Sequence, residues 1–270
     1  MFAGASSIAL GLLFVVFVVI GFAIYTAIIW QISARRRTSS ESPAFGKVFG
    51  LPELFVAIAL VLLFGCMIGV SGSGPPPKIT TRVIILNELF FVGIVLLVMM
   101  YLSLRGFALD ALAGFSKVTL KRALSTGIVL ILAAWPLIGV AELITQSAGG
   151  GSSKQELVDF FSSSESMTQR ITIIVMAVVA APIFEELIFR FFIFGALRRY
   201  FGTTIGLVCN SLIFAAAHNH LPSALPLFVL GACFTLAYEW SGSILVSMSM
   251  HALFNASQLT LLAFPDIFQQ

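Results

Sequence analysis

Apolar residues in this chain come in long unbroken blocks, not in the alternation of a strand or the narrow stripe of a surface helix. The first block is "SIALGLLFVVFVVIGFAIYTAIIWQISA", and comparable runs recur to the far end of the chain. A helix needs about 17–25 apolar residues to cross the hydrocarbon core of a bilayer. Inside that core a helix satisfies all of its own backbone N–H and C=O groups. The blocks predict eight spans, at about 7–34, 52–70, 83–104, 124–146, 171–197, 203–219, 222–240 and 243–264. The fold expected is all-α, a polytopic transmembrane helical bundle.

Polar punctuation marks the joints. "SGSGPPPK" (71–78) separates spans two and three, "NHLP" (219–222) six and seven, and "EWSG" (239–242) seven and eight. In the longest polar loop, 147–170, Ser153 and Glu156 have capping-box spacing and open a short helix expected at the surface. Residues 106–122 mix apolar and basic positions, which fits a segment lying along the membrane surface or an ordinary connecting loop. The first block has no basic residue before it and is about twice the length of a signal-peptide core. With "ARRRTSS" as a stop-transfer flank, it is expected to stay as the first transmembrane helix. No internal repeat and no separate soluble domain is legible. The division expected is 1–150 for spans one to four, which carry no recognised motif, and 151–270 for a catalytic core of spans five to eight.

Composition agrees with the pattern. The 270 residues are 59% hydrophobic and 10% charged, with a mean hydropathy of +1.05; a soluble domain is about 25% charged. The net charge of +3 comes from basic residues scattered between spans, which excludes a nucleic-acid-binding surface. Placing the N-terminus outside puts Arg35, Arg36, Arg37, Lys47, Arg105, Lys117, Lys121, Arg122, Arg198 and Arg199 inside. Lys78, Arg82, Lys154 and Arg170 are then outside, so both termini are expected outside by the positive-inside rule. The three cysteines, Cys66, Cys209 and Cys233, fall in apolar runs without ligand spacing and are expected as small buried packing residues.

Against this background "APIFEELIFRFF" (181–192) stands out, because a charge near the centre of a membrane helix costs on the order of 2.5–3.5 kcal/mol. Glu186 and Arg190 are four apart on one helix face and form a natural ion pair. Glu185 points about 100° away and is left free. His251 and Asn255, also four apart, share a face of the last span, and His218 ends span six. At 1.5 Å per residue, Glu185 lies roughly 20 Å, His218 roughly 22 Å, Asn255 roughly 18 Å and His251 roughly 12 Å from the inner edge. Three helices thus offer polar groups at overlapping depths. A desolvated carboxylate and a histidine suit water activation, and an amide with a second histidine suits an oxyanion. Glu88, Glu142 and Glu239 fall near span ends and read as interfacial or helix-packing residues, His220 as a loop residue, and Asn210 as a candidate interhelical hydrogen-bonder.

"EELIFR" fits EExxxR, "FAAAH" (214–218) fits FxxxH and "HALFN" fits HxxxN. Their order over about 170–262 resembles the CAAX protease and bacteriocin-processing family, also called Abi, of intramembrane proteases related to the CAAX prenyl endopeptidase. The resemblance implies a glutamate-dependent endopeptidase without a cofactor, acting on a membrane-associated protein or peptide in the bacterial plasma membrane. It assigns water activation to Glu185 and His218, the oxyanion to His251 and Asn255, and support to Glu186 and Arg190. Family relatives cleave prenylated CAAX ends, mature peptides, or confer bacteriocin immunity. A non-proteolytic scaffold or immunity protein of the same fold is therefore the alternative. A zinc site of Glu185, His218 and His251 is a further one, although HExxH and paired histidines at i, i+4 are missing. A proton-coupled transporter ranks last, for want of repeat symmetry.

Overall fold

The structure is a computed structural model, and it describes residues 2–38, 49–71, 80–149, 161 and 166–263. Its helices are α1 (Phe2–Thr38), α2 (Leu51–Ser71), α3 (Thr81–Leu104), α4 (Leu109–Ala113), α5 (Leu120–Ser147), α6 (Met167–Val175), α7 (Ala181–Glu186), α8 (Gly195–Ala217), α9 (Ala224–Ser241) and α10 (Ile244–Ala263). No strand occurs among the described residues. The protein is an all-α membrane bundle, as the apolar blocks require.

Six helical segments are long and apolar enough to cross a membrane. One of them, Met167–Ala217, accounts for two of the eight expected spans, because it breaks at Gly202. There φ 78° and ψ 170° open the left-handed half of backbone space, which glycine enters without a Cβ clash. The chain folds back on itself at this point. A Cβ on Gly206 would stand 3.0 Å from the Arg198 backbone N, whereas an unbroken helix would separate the two by about 12 Å. Counting α10 separately completes the eight.

The bundle is held by small residues and by aromatic packing. Ala123, Gly127, Leu130, Ala134 and Ala141 form the buried stripe of α5. Small side chains there let neighbouring backbones approach closely, the usual basis of packing between membrane helices. Among the described residues of α1, Gly21, Tyr25, Ile28 and Ile32 are buried, one stripe along a helix whose other residues, from Leu10 to Trp30, are largely exposed. That exposed apolar surface is the face the lipid covers. α9 is the most enclosed helix and runs through the centre of the bundle.

At one end the polar groups make ties between helices. Glu239 of α9 bonds both Arg198 of α8 and Arg36 of α1, the latter at 3.0 Å. Glu53 of α2 accepts from Tyr101 and Arg105 at 2.9 and 3.1 Å. Residues 106–119 are neither a surface helix nor a plain loop. Leu112 and Ala113 are buried, and Tyr238 donates to the Leu112 carbonyl at 3.4 Å, fixing α4 beneath the α9–α10 turn. The cysteine expectation holds for Cys233 only; Cys66 is exposed on the lipid-facing surface and Cys209 is half-buried. The capping box at Ser153 and Glu156, together with Lys47, Lys78 and Lys154, lies outside the described residues.

Candidate active site

The helix bearing the two adjacent glutamates is not a regular α-helix. Pro182 has no N–H to donate, so the i→i+4 ladder cannot pass through it. The chain answers with a π-helical turn over Met176–Ala180, in which the Ala181 N–H reaches back to the Met176 carbonyl. The Ala177 carbonyl then has no helical partner, since Ala181 N–H is spent and Pro182 has none. Asn255 of α10 supplies the missing donor, its Nδ2 lying 2.7 Å from Ala177 O. After the short α7, a second π-helical turn spans Leu187–Phe194 and packs seven consecutive residues, Ile188 to Phe194, into the core.

Glu186 and Arg190 meet as their spacing predicts. Arg190 Nη1 donates to Glu186 Oε1 at 2.8 Å, and both side chains are fully buried. The guanidinium lies 4.1 Å from the Phe214 ring centre and 5.1 Å from that of Phe234, where desolvated cation–π attraction is worth about 2 kcal/mol. Its Nη2 also points at the Gly231 carbonyl, 3.5 Å away. Gly231 is needed there, since a Cβ would stand 3.0 Å from Phe214 Cδ1.

The same Glu186 Oε1 accepts from His251 Nδ1 at 3.0 Å. A carboxylate already paired with arginine only accepts, so His251 carries its proton on Nδ1 and turns Nε2 the other way. Nε2 lies 3.9 Å from Glu185 Oε2, beyond a direct hydrogen bond. His251 also stacks on Phe234, with ring centres 4.9 Å apart. His218 closes α8, and Asn219 with φ 48° turns the chain away immediately after it. Its Nδ1 lies 2.8 Å from the Phe214 carbonyl. A carbonyl cannot donate, so a proton sits on Nδ1 here too, and Nε2 is the nitrogen left to accept in the neutral form of the ring. Phe214 lies between the histidines, 4.7 Å from the His218 ring and 6.0 Å from that of His251.

Glu185 differs from its neighbour. Its side chain is 21% exposed, and its Oε2 has no hydrogen-bond partner among the described residues. It is the carboxylate left unspent. Glu185, Glu186, Arg190 and His251 are in mutual reach, His218 joins them through Phe214, and Asn255 is tied to the π turn one helix away. Among the described residues no group of three or more His, Cys, Asp or Glu is disposed to hold a metal ion. His220 bonds Ser223 Oγ at 2.7 Å in the connecting turn, and Asn210 donates to Thr235 at 3.1 Å between helices.

Two features escaped the motif reading. The aromatic frame of Phe189, Phe214 and Phe234 encloses the Arg190 charge. Glu88 of α3, read as a span-end residue, lies near enough to Glu185 for their charges to interact. The signal available for it was a carboxylate two turns inside an apolar span.

Comparison with known proteins falls on this same region. The family model described as type II CAAX prenyl endopeptidase Rce1-like matches residues 167–257. The membrane-embedded CAAX protease MroQ of Staphylococcus aureus (strain USA300) is 36% identical over 83 residues. That match covers 28% of this chain and spans about a third, 34%, of the relative's length. No solved structure matches. The residues matched by the family model include all three motifs on which the resemblance rests. With the six apolar helices, these matches make the chain an integral protein of the bacterial plasma membrane.

Proposed function

We propose that the protein is an intramembrane endopeptidase that hydrolyses peptide bonds with water activated by Glu185 and His218. The observation that carries this reading is the unequal treatment of the two adjacent glutamates. Glu186 is fully buried and its Oε1 is bonded to both Arg190 and His251, while Glu185 makes neither tie and stays partly exposed, its Oε2 3.9 Å from the imidazole of His251.

In the reaction, Glu185 takes one proton from a water oriented toward the bare Nε2 of His218. The water oxygen attacks the carbonyl carbon of the scissile peptide, and the C=O electron pair moves onto oxygen. The resemblance assigns this oxyanion to His251, whose Nδ1 is fixed by Glu186 and whose Nε2, in a ring that also carries a proton there, is the donor. Asn255 spends one of its two amide hydrogens on Ala177 and offers the second to the same oxygen. Collapse breaks the C–N bond, and the proton on Glu185 passes to the leaving amine. Glu186 and Arg190 touch no reacting atom and position His251. The substrate class is a membrane-associated protein or peptide, as in CAAX-type processing or peptide maturation.

Glu185→Gln tests the mechanism. Wild-type and variant cells with equal amounts of inserted protein are compared for released peptides by mass spectrometry. Fragments seen only with wild type are expected, a loss of at least about 100-fold for a general base. Identical peptide profiles across growth conditions would sink the enzyme and leave a non-proteolytic scaffold or immunity protein in its place.

A further inference from the structure

The first four spans carry no recognised motif, yet α3 packs directly on α7, on the π-helical turn Met176–Ala180 before it and on α6. Ile84, Glu88 and Phe91 are spaced i, i+4, i+7 and share one face of α3. That face is pinned at both ends. Ile84 packs into the same cluster as Ala177 and Val178, around Ile173 and Leu259. Phe91 stacks on Phe64 at 5.8 Å, and Phe64 packs on Phe189 at 5.9 Å. Glu88 is one turn, about 6 Å, below Ile84, and Glu185 about 11 Å below Ala177 and Val178. Measured from the other end, Glu88 is about 4.5 Å from Phe91 and Glu185 about 6 Å from Phe189. Between these two pins Glu88 stands a little over half-way along α3 and Glu185 about two-thirds of the way along its own helix, which puts the two residues within about one helical turn, roughly 5 Å, of the same depth on facing helices. The interaction of their charges is consistent with this placement.

Among the described residues, the surroundings show no cation paired with Glu88 at this level. On α7 and the turn beyond it, the charged groups are Glu185, Glu186 and Arg190, and Arg190 is committed to Glu186. His251 of α10 faces Glu185 from the far side and bonds Glu186. Arg170 of α6 and Arg82 of α3 are each more than one turn further toward the helix starts. Cys66 is the single titratable group of α2 within two turns of Phe64, and it is exposed. Two carboxylates that close in a medium of low dielectric constant do not both ionise freely, and their protons come off as a pair.

We propose that Glu88 is a positioning residue of the hydrolytic centre, forming with Glu185 a carboxyl pair that shares one proton across the α3–α7 contact. Its role rests on the protease reading, in which Glu185 is the base. While the pair holds its shared proton, Glu185 can carry the charge that draws a proton from water. Glu88 meanwhile keeps the site from carrying two uncompensated charges. The N-terminal spans thereby contribute to the chemistry and not only to the scaffold.

The experiment uses the full chain in lipid nanodiscs, as wild type, Glu88→Gln and Glu185→Gln. Infrared difference spectra follow the carboxylic-acid C=O band through a pH titration, which requires no substrate and no activity. Replacing either glutamate is expected to move the midpoint of the remaining one by about one pH unit or more, tenfold in proton affinity. A midpoint for Glu88 that is the same with and without Glu185 would overturn the pair. Where Glu88→Gln fails to insert, Glu185→Gln alone decides the pair, through the midpoint of the remaining Glu88. Cleavage is measured in parallel, and Glu88→Gln is expected to lower turnover and to alter its pH profile. An unchanged profile would also overturn the proposal. Absence of cleavage by wild type would instead count against the protease reading, with the infrared result still deciding the pair.

Discussion

Removing the charge from Glu186 would strand Arg190, whose guanidinium is wholly enclosed by Phe189, Phe214 and Phe234. The cation–π contacts are too weak to replace a counter-charge, because breaking a buried ion pair costs about 3–5 kcal/mol. Glu186→Gln is therefore expected to destabilise the protein by that order and to lower activity through misplacement of His251. Glu185→Gln removes neither a bonded partner of Oε2 nor a sealed charge and leaves a partly exposed group, so its stability is expected to stay within about 1 kcal/mol of wild type. Reversible unfolding of both variants in bicelles distinguishes them. Equal destabilisation would mean that the two glutamates do not divide their work as argued. At this scale much was legible in advance, because i, i+4 spacing alone pairs Glu186 with Arg190 and turns Glu185 aside. The tautomers of His218 and His251 were not, since each depends on a carbonyl or carboxylate that only the fold brings near.

Helix irregularity decides what Asn255 does. The apolar blocks predict the helices and their ends to within a few residues, because a span must be about as long as the bilayer is thick. They carry no sign of where a helix changes its hydrogen-bonding register. Pro182 is the visible cause, but its consequence runs through an orphaned carbonyl five residues earlier and a donor 78 positions later. Left unpaired in an apolar setting, such a carbonyl costs about 1–3 kcal/mol. Asn255→Ala is expected to lose that much stability. Pro182→Ala restores an N–H at residue 182, which can pair Ala177 within the helix. In the double variant much of the loss caused by Asn255→Ala should therefore disappear, a coupling of about 1 kcal/mol or more. Strict additivity in a double-mutant cycle would show that Asn255 and Pro182 are not linked through Ala177.

Across the whole molecule, long-range ties that no local pattern announces set the arrangement. Glu239 reads as an unremarkable span-end carboxylate until α1 and α8 bring Arg36 and Arg198 to it. Tyr101 and Arg105 meet Glu53 in the same way. These ties gather Arg35, Arg36, Arg105 and Arg198 at the ends of α1, α3 and α9, while α5 and α8 start there. A cluster of arginines of this kind is retained on the cytoplasmic side during insertion. We therefore expect this end to face the cytoplasm, with the start of α6 and the end of α5 outside. Single cysteines at Gly106 and Ala148, in a chain whose own three cysteines are replaced by serine or alanine, report the two ends. Both positions are exposed, so accessibility to reagent depends on the side of the membrane and not on packing. A membrane-impermeant maleimide should label Ala148→Cys in intact cells and Gly106→Cys only after permeabilisation. The opposite pattern would invert the protein and place the arginine cluster outside. The positive-inside argument would then yield to another constraint on insertion, while the geometry linking Glu185, Glu186, Arg190 and His251 stayed as it is.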